Sequence, residues 1–294
     1  MSDPIPQVER FMGAYLDSLA LPTNLDQATR YALFGPGKRA RPVLVMHCCR
    51  AALNLNSPTA AALEAALPAA ASVEMVHAFS LVHDDLPALD NDDTRRGRPT
   101  THIAHGEAMA LLVGDLLNTL ALQVIAQRVK DPATASALLA EITTGTTAMI
   151  VGQIYDTLGG YAPNLSPAQK IELVHRNKTG ALIRAACRMG AISAGPAHAA
   201  KALAPMTTYG ESIGLMFQIV DDLLDVEQTA EHTGKATGKD AALGKLTYPG
   251  VMGIEASRKE IQRLRTVALE ALRPFGESAA PLIELCEYLA VRTK

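Results

Sequence analysis

Ala78-Phe79-Ser80-Leu81-Val82-His83-Asp84-Asp85-Leu86-Pro87-Ala88-Leu89-Asp90 closes a long apolar run with a cluster of acid. The run begins near Ala60 and is long enough to raise the question of a membrane span. It carries Glu64, Glu74 and His77 and ends in carboxylates, so a helix buried in protein is the better reading. Pro87 lacks an N–H and breaks or kinks the helix soon after Asp85. Asp90 then folds back toward Asp84, a pair whose spacing is awkward on a regular helix.

The same helical grammar extends over most of the 294 residues. Residues are 48% hydrophobic and 4% aromatic, with no Trp, and Ala and Leu, both strong helix formers, dominate. Residues suited to a pleated sheet are comparatively scarce. Periodicity predicts helices near 5–20, 24–34, 40–54, 58–86, 106–129, 133–158, 166–191, 198–226, 247–273 and 277–292. Breaks fall at Gly35-Pro36-Gly37, Asn56-Ser57-Pro58, Asp92–Pro99, Gly159–Pro167 and Gly234–Gly244. No linker or composition shift divides the chain. The expectation is one all-α domain over 1–294, with several helices apolar on much of their circumference, as in a large bundle.

A formal net charge of −3 gives no global field for nucleic acid or an anionic membrane. Cys48, Cys49, Cys187 and Cys286 show no metal-binding spacing, and two are adjacent, which fits reduced thiols in the cytoplasm. The acidic start, with no apolar signal core, agrees.

An acidic cluster recurs at the end of a second apolar helix, as Phe217-Gln218-Ile219-Val220-Asp221-Asp222-Leu223-Leu224-Asp225. Asp221 and Asp225 are spaced i,i+4 and share a face. Solvated helix ends also carry aspartates, but two arguments favour a site. Aspartates near a helix C-terminus oppose the helix dipole. Two carboxylates about 4 Å apart repel by roughly 4 kcal/mol at an effective dielectric near 20, so a cation is called for. Hard oxygen donors without a His or Cys set point to magnesium, completed by water and substrate phosphate. An EF-hand is excluded, because Asp90-Asn91-Asp92 runs into Thr94-Arg95-Arg96 without the loop glycine or the closing Glu.

Basic residues complete the pattern. Arg95-Arg96-Gly97-Arg98 follows the first cluster directly, and arginine forks phosphate oxygens. Lys38 and Arg41, Lys178, Lys235 and Lys245 punctuate other helix ends. Gly37-Lys38 lacks the full phosphate-loop spacing. His77, seven before Asp84, shares its face about 10 Å away along the axis and reads equally as a core histidine or a ligand contact. Gly214, seven before Asp221, either leaves room for an apolar tail or permits close helix packing.

Together these residues resemble the trans-isoprenyl diphosphate synthases, most closely the bacterial farnesyl diphosphate synthases. The resemblance runs through Gly37-Lys38-x-x-Arg41-Pro42, Asp84–Asp90 with Arg95-Arg96-Gly97, Gly152-Gln153-x-x-Asp156, Lys178-Thr179-Gly180 and Phe217-Gln218-x-x-Asp221-Asp222-x-x-Asp225. It covers essentially the whole chain; Pro36 departs from the glycine usual there. It implies one bundle of ten or more helices around a deep central cavity, usually a homodimer. About three magnesium ions are implied: Asp84 and Asp90 hold two, with Asp85 supporting, and Asp221 holds a third, with Asp222 and Asp225 helping. Arg95, Lys178, Lys235 and Lys245 would contact the allylic diphosphate (dimethylallyl or geranyl). Lys38, Arg41, His77 and Arg96 would hold isopentenyl diphosphate, and Thr179 and Gln218 would flank the developing allylic cation.

The resemblance also makes Phe79, five before the first aspartate and beside the smaller Ser80, a floor of the product tunnel. The implied product is farnesyl diphosphate. On a simple helical wheel Ser80 lies nearer the face of Asp84 and Phe79 points well away, so a core phenylalanine is the alternative. Geranylgeranyl or geranyl diphosphate synthesis is the nearest rival function. A terpene cyclase needs no isopentenyl site, which Lys38, Arg41 and Arg96 argue against. A non-catalytic subunit would be expected to lose an aspartate cluster, and both are present.

Overall fold

The computed structural model describes residues 3–54, 63–231 and 246–292, with the side chains of 227–231 excepted. The helices are α1 Ile5–Asp17, α2 Thr23–Leu33, α3 Ala40–Ala52, α4 Leu67–Asp84, α5 Thr101–His105, α6 Glu107–Arg128, α7 Pro132–Thr157, α8 Pro167–Val174, α9 Ala181–Ser193, α10 Pro196–Glu231, α11 Tyr248–Met252, α12 Ile254–Leu272 and α13 Ala280–Val291. Several begin with Pro in the first turn, where a missing N–H costs nothing. Ser166 and Gln169 form a reciprocal capping box at α8, and the Asp131 carboxylate accepts from Thr134 N at α7.

The all-α expectation holds, with three local corrections. The break at 92–99 is a small antiparallel hairpin, β1 Thr94–Arg95 with β2 Arg98–Pro99. Its turn residues Arg96 and Gly97 both have positive φ, 52° and 78°, the conformation that matches strand twist in a two-residue loop. The helices expected at 106–129 and 247–273 gain a break or a boundary at Gly106 and Gly253. These two glycines adopt nearly the same backbone (φ 89°, ψ 153°; φ 85°, ψ 154°), which L side chains rarely reach. The helix expected over 166–191 contains a π-helical turn at His175–Gly180 between α8 and α9.

One apolar core runs from Val8 on α1 to Leu289 on α13. At its centre α4 is buried around most of its circumference and packs on α3, α6 and α9. α9 also packs on α10, and the π turn touches α7 and α10. The two aspartate-bearing helices therefore share α9 as a neighbour. Among the described residues three segments, 64–84, 107–128 and 132–157, are long and apolar enough to cross a membrane by length and composition alone. The first is 78% buried within the protein, as its reading as a core helix requires, whereas the other two expose more of their length. The four cysteines are buried thiols. Burial pushes Cys49 up to about 12, which makes a reactive thiolate scarce.

Glycines set the closest helix crossings. A Cβ at Gly190 on α9 would meet the Val45 carbonyl at 2.4 Å and Cys48 Cβ at 2.6 Å, both on α3. At Gly214 it would meet Gly180 Cα at 2.9 Å, so packing rather than a substrate tail explains that residue. Gly190→Ala is expected to destabilise the protein by about 3 kcal/mol through overpacking against fixed backbone, measurable by urea unfolding.

Candidate active site

α4 ends at Asp84, as Pro87 requires, and the chain turns back at once. Leu89 N donates to Leu86 O, Asn91 N to the same carbonyl, and Asp90 N to Asp84 O at 2.9 Å. Asn91 takes positive φ to complete the turn. Asp84 and Asp90 are thus brought together by main-chain bonding, not by helical spacing. Burial pushes the Asp84 carboxyl up to about 6; Asp90 and Asp85 add to the rise, while Lys178 and Arg95 oppose it. Asp85 is buried and held by Arg95 at 2.7 Å, and burial raises it too.

Two adjoining cavities meet at this helix end, and His77 and Leu81 line both. The larger, about 380 Å³, is lined by Phe79, Ser80, His83, Asp84, Leu89, Met149, Ile150, Ile154, Gln153, Lys178, Thr179 and Arg41. Phe79 and Ser80 both face it. Phe79 is buried and belongs to the core cluster as well, so the core reading and the cavity reading of this residue meet in one side chain. The smaller cavity carries Arg39, Arg95, Arg96 and Arg98 with Glu74, Asp85 and Tyr31.

The basic loop is built with unusual economy of space. Arg96 Nη1 donates to Pro36 O at 2.6 Å, and a Cβ at Gly37 would lie 2.3 Å from that nitrogen, so a side chain there would displace the guanidinium from this position. Arg39 adopts positive φ before α3 and spans three partners: Glu9, Glu74 and the Gly35 carbonyl. Arg41 Nε is buried with no partner, and burial pulls Arg41 down to about 10 despite the attraction of Glu74. His77 is pushed well below its ordinary value by burial and by the surrounding arginines, so it is neutral near pH 7.

On the far side, Lys178 and Thr179 sit in the π turn, whose extra residue widens the backbone toward the cavity. Lys178 Nζ binds Asp156 at 2.6 Å. Gly152 lets α7 approach that turn, since a Cβ there would lie 2.1 Å from Lys178 N. In the second cluster Asp221 pairs with Arg292, just beyond α13, whose guanidinium also stacks on Phe217. Burial raises the Asp221 carboxyl, and Arg292 opposes the rise. Gln218 and Asp225 are half-buried on the same helix. Asp222 instead accepts from His175 Nε2 at 2.9 Å and from Tyr248 N at 2.7 Å, fastening α11 and the π turn to α10.

Lys38 is not brought to either cavity. Its ammonium lies 6.0 Å from the Tyr288 ring centroid, in a separate hollow with Asp3, His47 and Glu284. Lys235 and Lys245 lie outside the described residues. Among the described residues no three carboxylate, imidazole or thiol groups converge as a ready-made ion cage. Arg39, Asp156, His175 and Arg292 had no role in the sequence reading. Asp156 alone had a signal, its place in Gly152-Gln153-x-x-Asp156.

The chain matches the family model "Polyprenyl synthetase" over residues 22–273. It is 41% identical over 281 residues to geranylgeranyl pyrophosphate synthase 9, chloroplastic, of Arabidopsis thaliana, covering 93% of this chain and 76% of that protein. It is 40% identical to a dimethylallyltranstransferase of Fischerella ambigua, covering 92% and 77%. Among solved structures it is similar to a geranyltransferase from Legionella pneumophila (TM-score 0.80, 31% identity, 97% and 94% covered). It is also similar to an FPP/GFPP synthase from Zymomonas mobilis (TM-score 0.79, 31% identity, 97% of each chain).

Asp84 is harder to ionise folded, near pH 6, than unfolded, near 3.8. Its penalty on the folded state therefore builds as pH rises from about 3.8 to about 6 and is complete above that. In chelator, Asp84→Asn is expected to raise unfolding free energy at pH 8 by about 1–3 kcal/mol. That gain shrinks to nothing near pH 4, and denaturant unfolding at both values checks it.

Proposed function

We propose that this chain, which belongs to the polyprenyl synthetase family and is a trans-prenyltransferase joining isoprenyl diphosphates head to tail, makes farnesyl diphosphate from isopentenyl diphosphate and dimethylallyl or geranyl diphosphate. The observation that carries the reading is the pair of adjoining cavities sharing His77. One is basic and suits a diphosphate; the other is largely apolar, with Asp84 and Lys178 on its lining, and suits an allylic chain with its own diphosphate.

The donor set fits magnesium. Asp84 is a half-buried carboxyl facing the cavity, raised by partial desolvation, and Asp90 is exposed beside it. A cation there would be held by Asp84 and Asp90, and a further one by Asp221 with Asp225, each completed by water and phosphate oxygens. Magnesium supplies Lewis-acid stabilisation of the departing diphosphate. Lys178, once released from Asp156, adds positive charge at the same group. The allylic C–O bond breaks and its electron pair leaves with the diphosphate. The isopentenyl double bond forms the new C–C bond, and a proton passes to the departing diphosphate. Thr179 and Gln218 flank the cation, and the apolar wall excludes water that would quench it. Arg96 and neutral His77, which line the basic cavity, hold the isopentenyl diphosphate, with Arg41 adding positive charge from the wall of the adjoining cavity. Lys38 joins only by leaving Tyr288.

Phe79, lining the apolar cavity, supports a fifteen-carbon product. The relatives support a second reading, a twenty-carbon product, because several are named geranylgeranyl pyrophosphate synthases. A second copy is the reading for Leu111 and Leu112 on α6, large apolar side chains that are 50% and 57% exposed.

Incubation with magnesium, dimethylallyl diphosphate and excess isopentenyl diphosphate is expected to give mainly the fifteen-carbon chain; mainly twenty-carbon product would favour the second reading. Phe79→Ala is expected to shift the ratio about tenfold toward longer chains, and an unchanged distribution would remove Phe79 from the floor. Light scattering should report a dimer mass, with Leu112→Glu moving it to a monomer.

A further inference from the structure

One ring on the wall of the apolar cavity is set from behind. His83 lines the cavity, and its Nε2 lies 3.0 Å from the Leu111 carbonyl oxygen on α6. A carbonyl only accepts, so Nε2 carries the proton and donates. The ring fits there because residue 114 is glycine: a Cβ would fall 2.0 Å from Nε2 and 2.3 Å from Cδ2. Its other side meets Phe79 edge-on, with centroids 5.8 Å apart and planes at 79°. Phe79 and His83 are four residues apart on α4 and so stack along one helix face.

We propose that His83 is a positioning residue for product length: locked in the Gly114 notch, it holds the Phe79 ring against the growing chain. The proposal rests on the chain-elongating reading and assigns to it a residue that acts through Phe79, not through the diphosphates. The hydrogen bond explains why the position suits histidine, since it fixes the ring's orientation as well as filling the notch. Loss of the ring opens space beside Phe79, which rotates into it and deepens the cavity by room for another five-carbon unit. A methyl group at position 114 acts in reverse. It takes the ring's place and drives His83 toward the cavity, so the chain stops earlier.

The test is product length for wild type, His83→Ala, Phe79→Ala and the double variant, with dimethylallyl diphosphate and excess isopentenyl diphosphate. His83→Ala is expected to raise the ratio of the next longer product to the wild-type product about tenfold. The double variant is expected to go no further than Phe79→Ala, because both act on one wall. His83→Asn, which keeps a donor for Leu111 but no ring, should lengthen the product as Ala does. A wild-type distribution from His83→Ala beside a lengthened one from Phe79→Ala overturns the proposal, as does additivity in the double variant or a lengthening that needs His83 but not Phe79. If neither variant lengthens the product, the proposal also falls. Should the variants at 83 turn over too slowly for product analysis, Gly114→Ala decides: a shorter product supports the proposal and an unchanged one overturns it. Failure of the chain-elongating reading itself shows separately, as a wild type that makes no elongated product.

Discussion

Everything in the site depends on one costly arrangement: carboxylates at the buried C-terminal end of α4, where both desolvation and the helix dipole oppose their charge. The core makes this possible. α4 is buried along nearly its whole length, so its end cannot fray away from the cavity to relieve the strain. Arg95 neutralises Asp85 and leaves Asp84 facing the cavity. The outcome is a division of labour between adjacent residues, one carboxylate spent on holding the hairpin and the other kept for a ligand.

The second cluster is arranged differently. Asp222 is held by His175 and by the start of α11, and Asp221 is paired with Arg292. Both neighbouring acids are occupied there, whereas in the first cluster Asp84 faces the cavity beside an occupied Asp85. Glycine makes the corresponding provision on the basic side. Gly37 admits Arg96, and Gly152 admits the π turn that presents Lys178.

Much of the architecture was legible in the sequence because periodicity reports burial, and these helices are buried on broad faces. Pro87 announced the end of α4, and the folding back of Asp90 followed from it. What the chain did not disclose locally was conformation decided by distant partners. The π turn at His175–Gly180 looks like ordinary helix until Gly152 of α7 approaches it. Arg39 reads as one basic residue among several, yet it bridges Glu9, Glu74 and the Gly35 carbonyl. Phe79 lies off the face of Asp84, as a wheel indicates, yet a cavity lined by residues from His77 to Asp84 reaches it, a breadth that no local pattern discloses. Lys38 and Arg41 share a motif, but only Arg41 reaches the cavity; the side chain of Lys38 follows Tyr288 outward.

The bond from Tyr248 N to Asp222 has a meaning in chain statistics as well. It ties together two positions 26 apart in sequence, the acidic cluster on α10 and the first residue of α11. The closure entropy of such a contact grows slowly with separation, by about 0.6 kcal/mol for each doubling. Its cost is therefore set mainly by its being made at all, and hardly by how far apart along the chain its two ends lie.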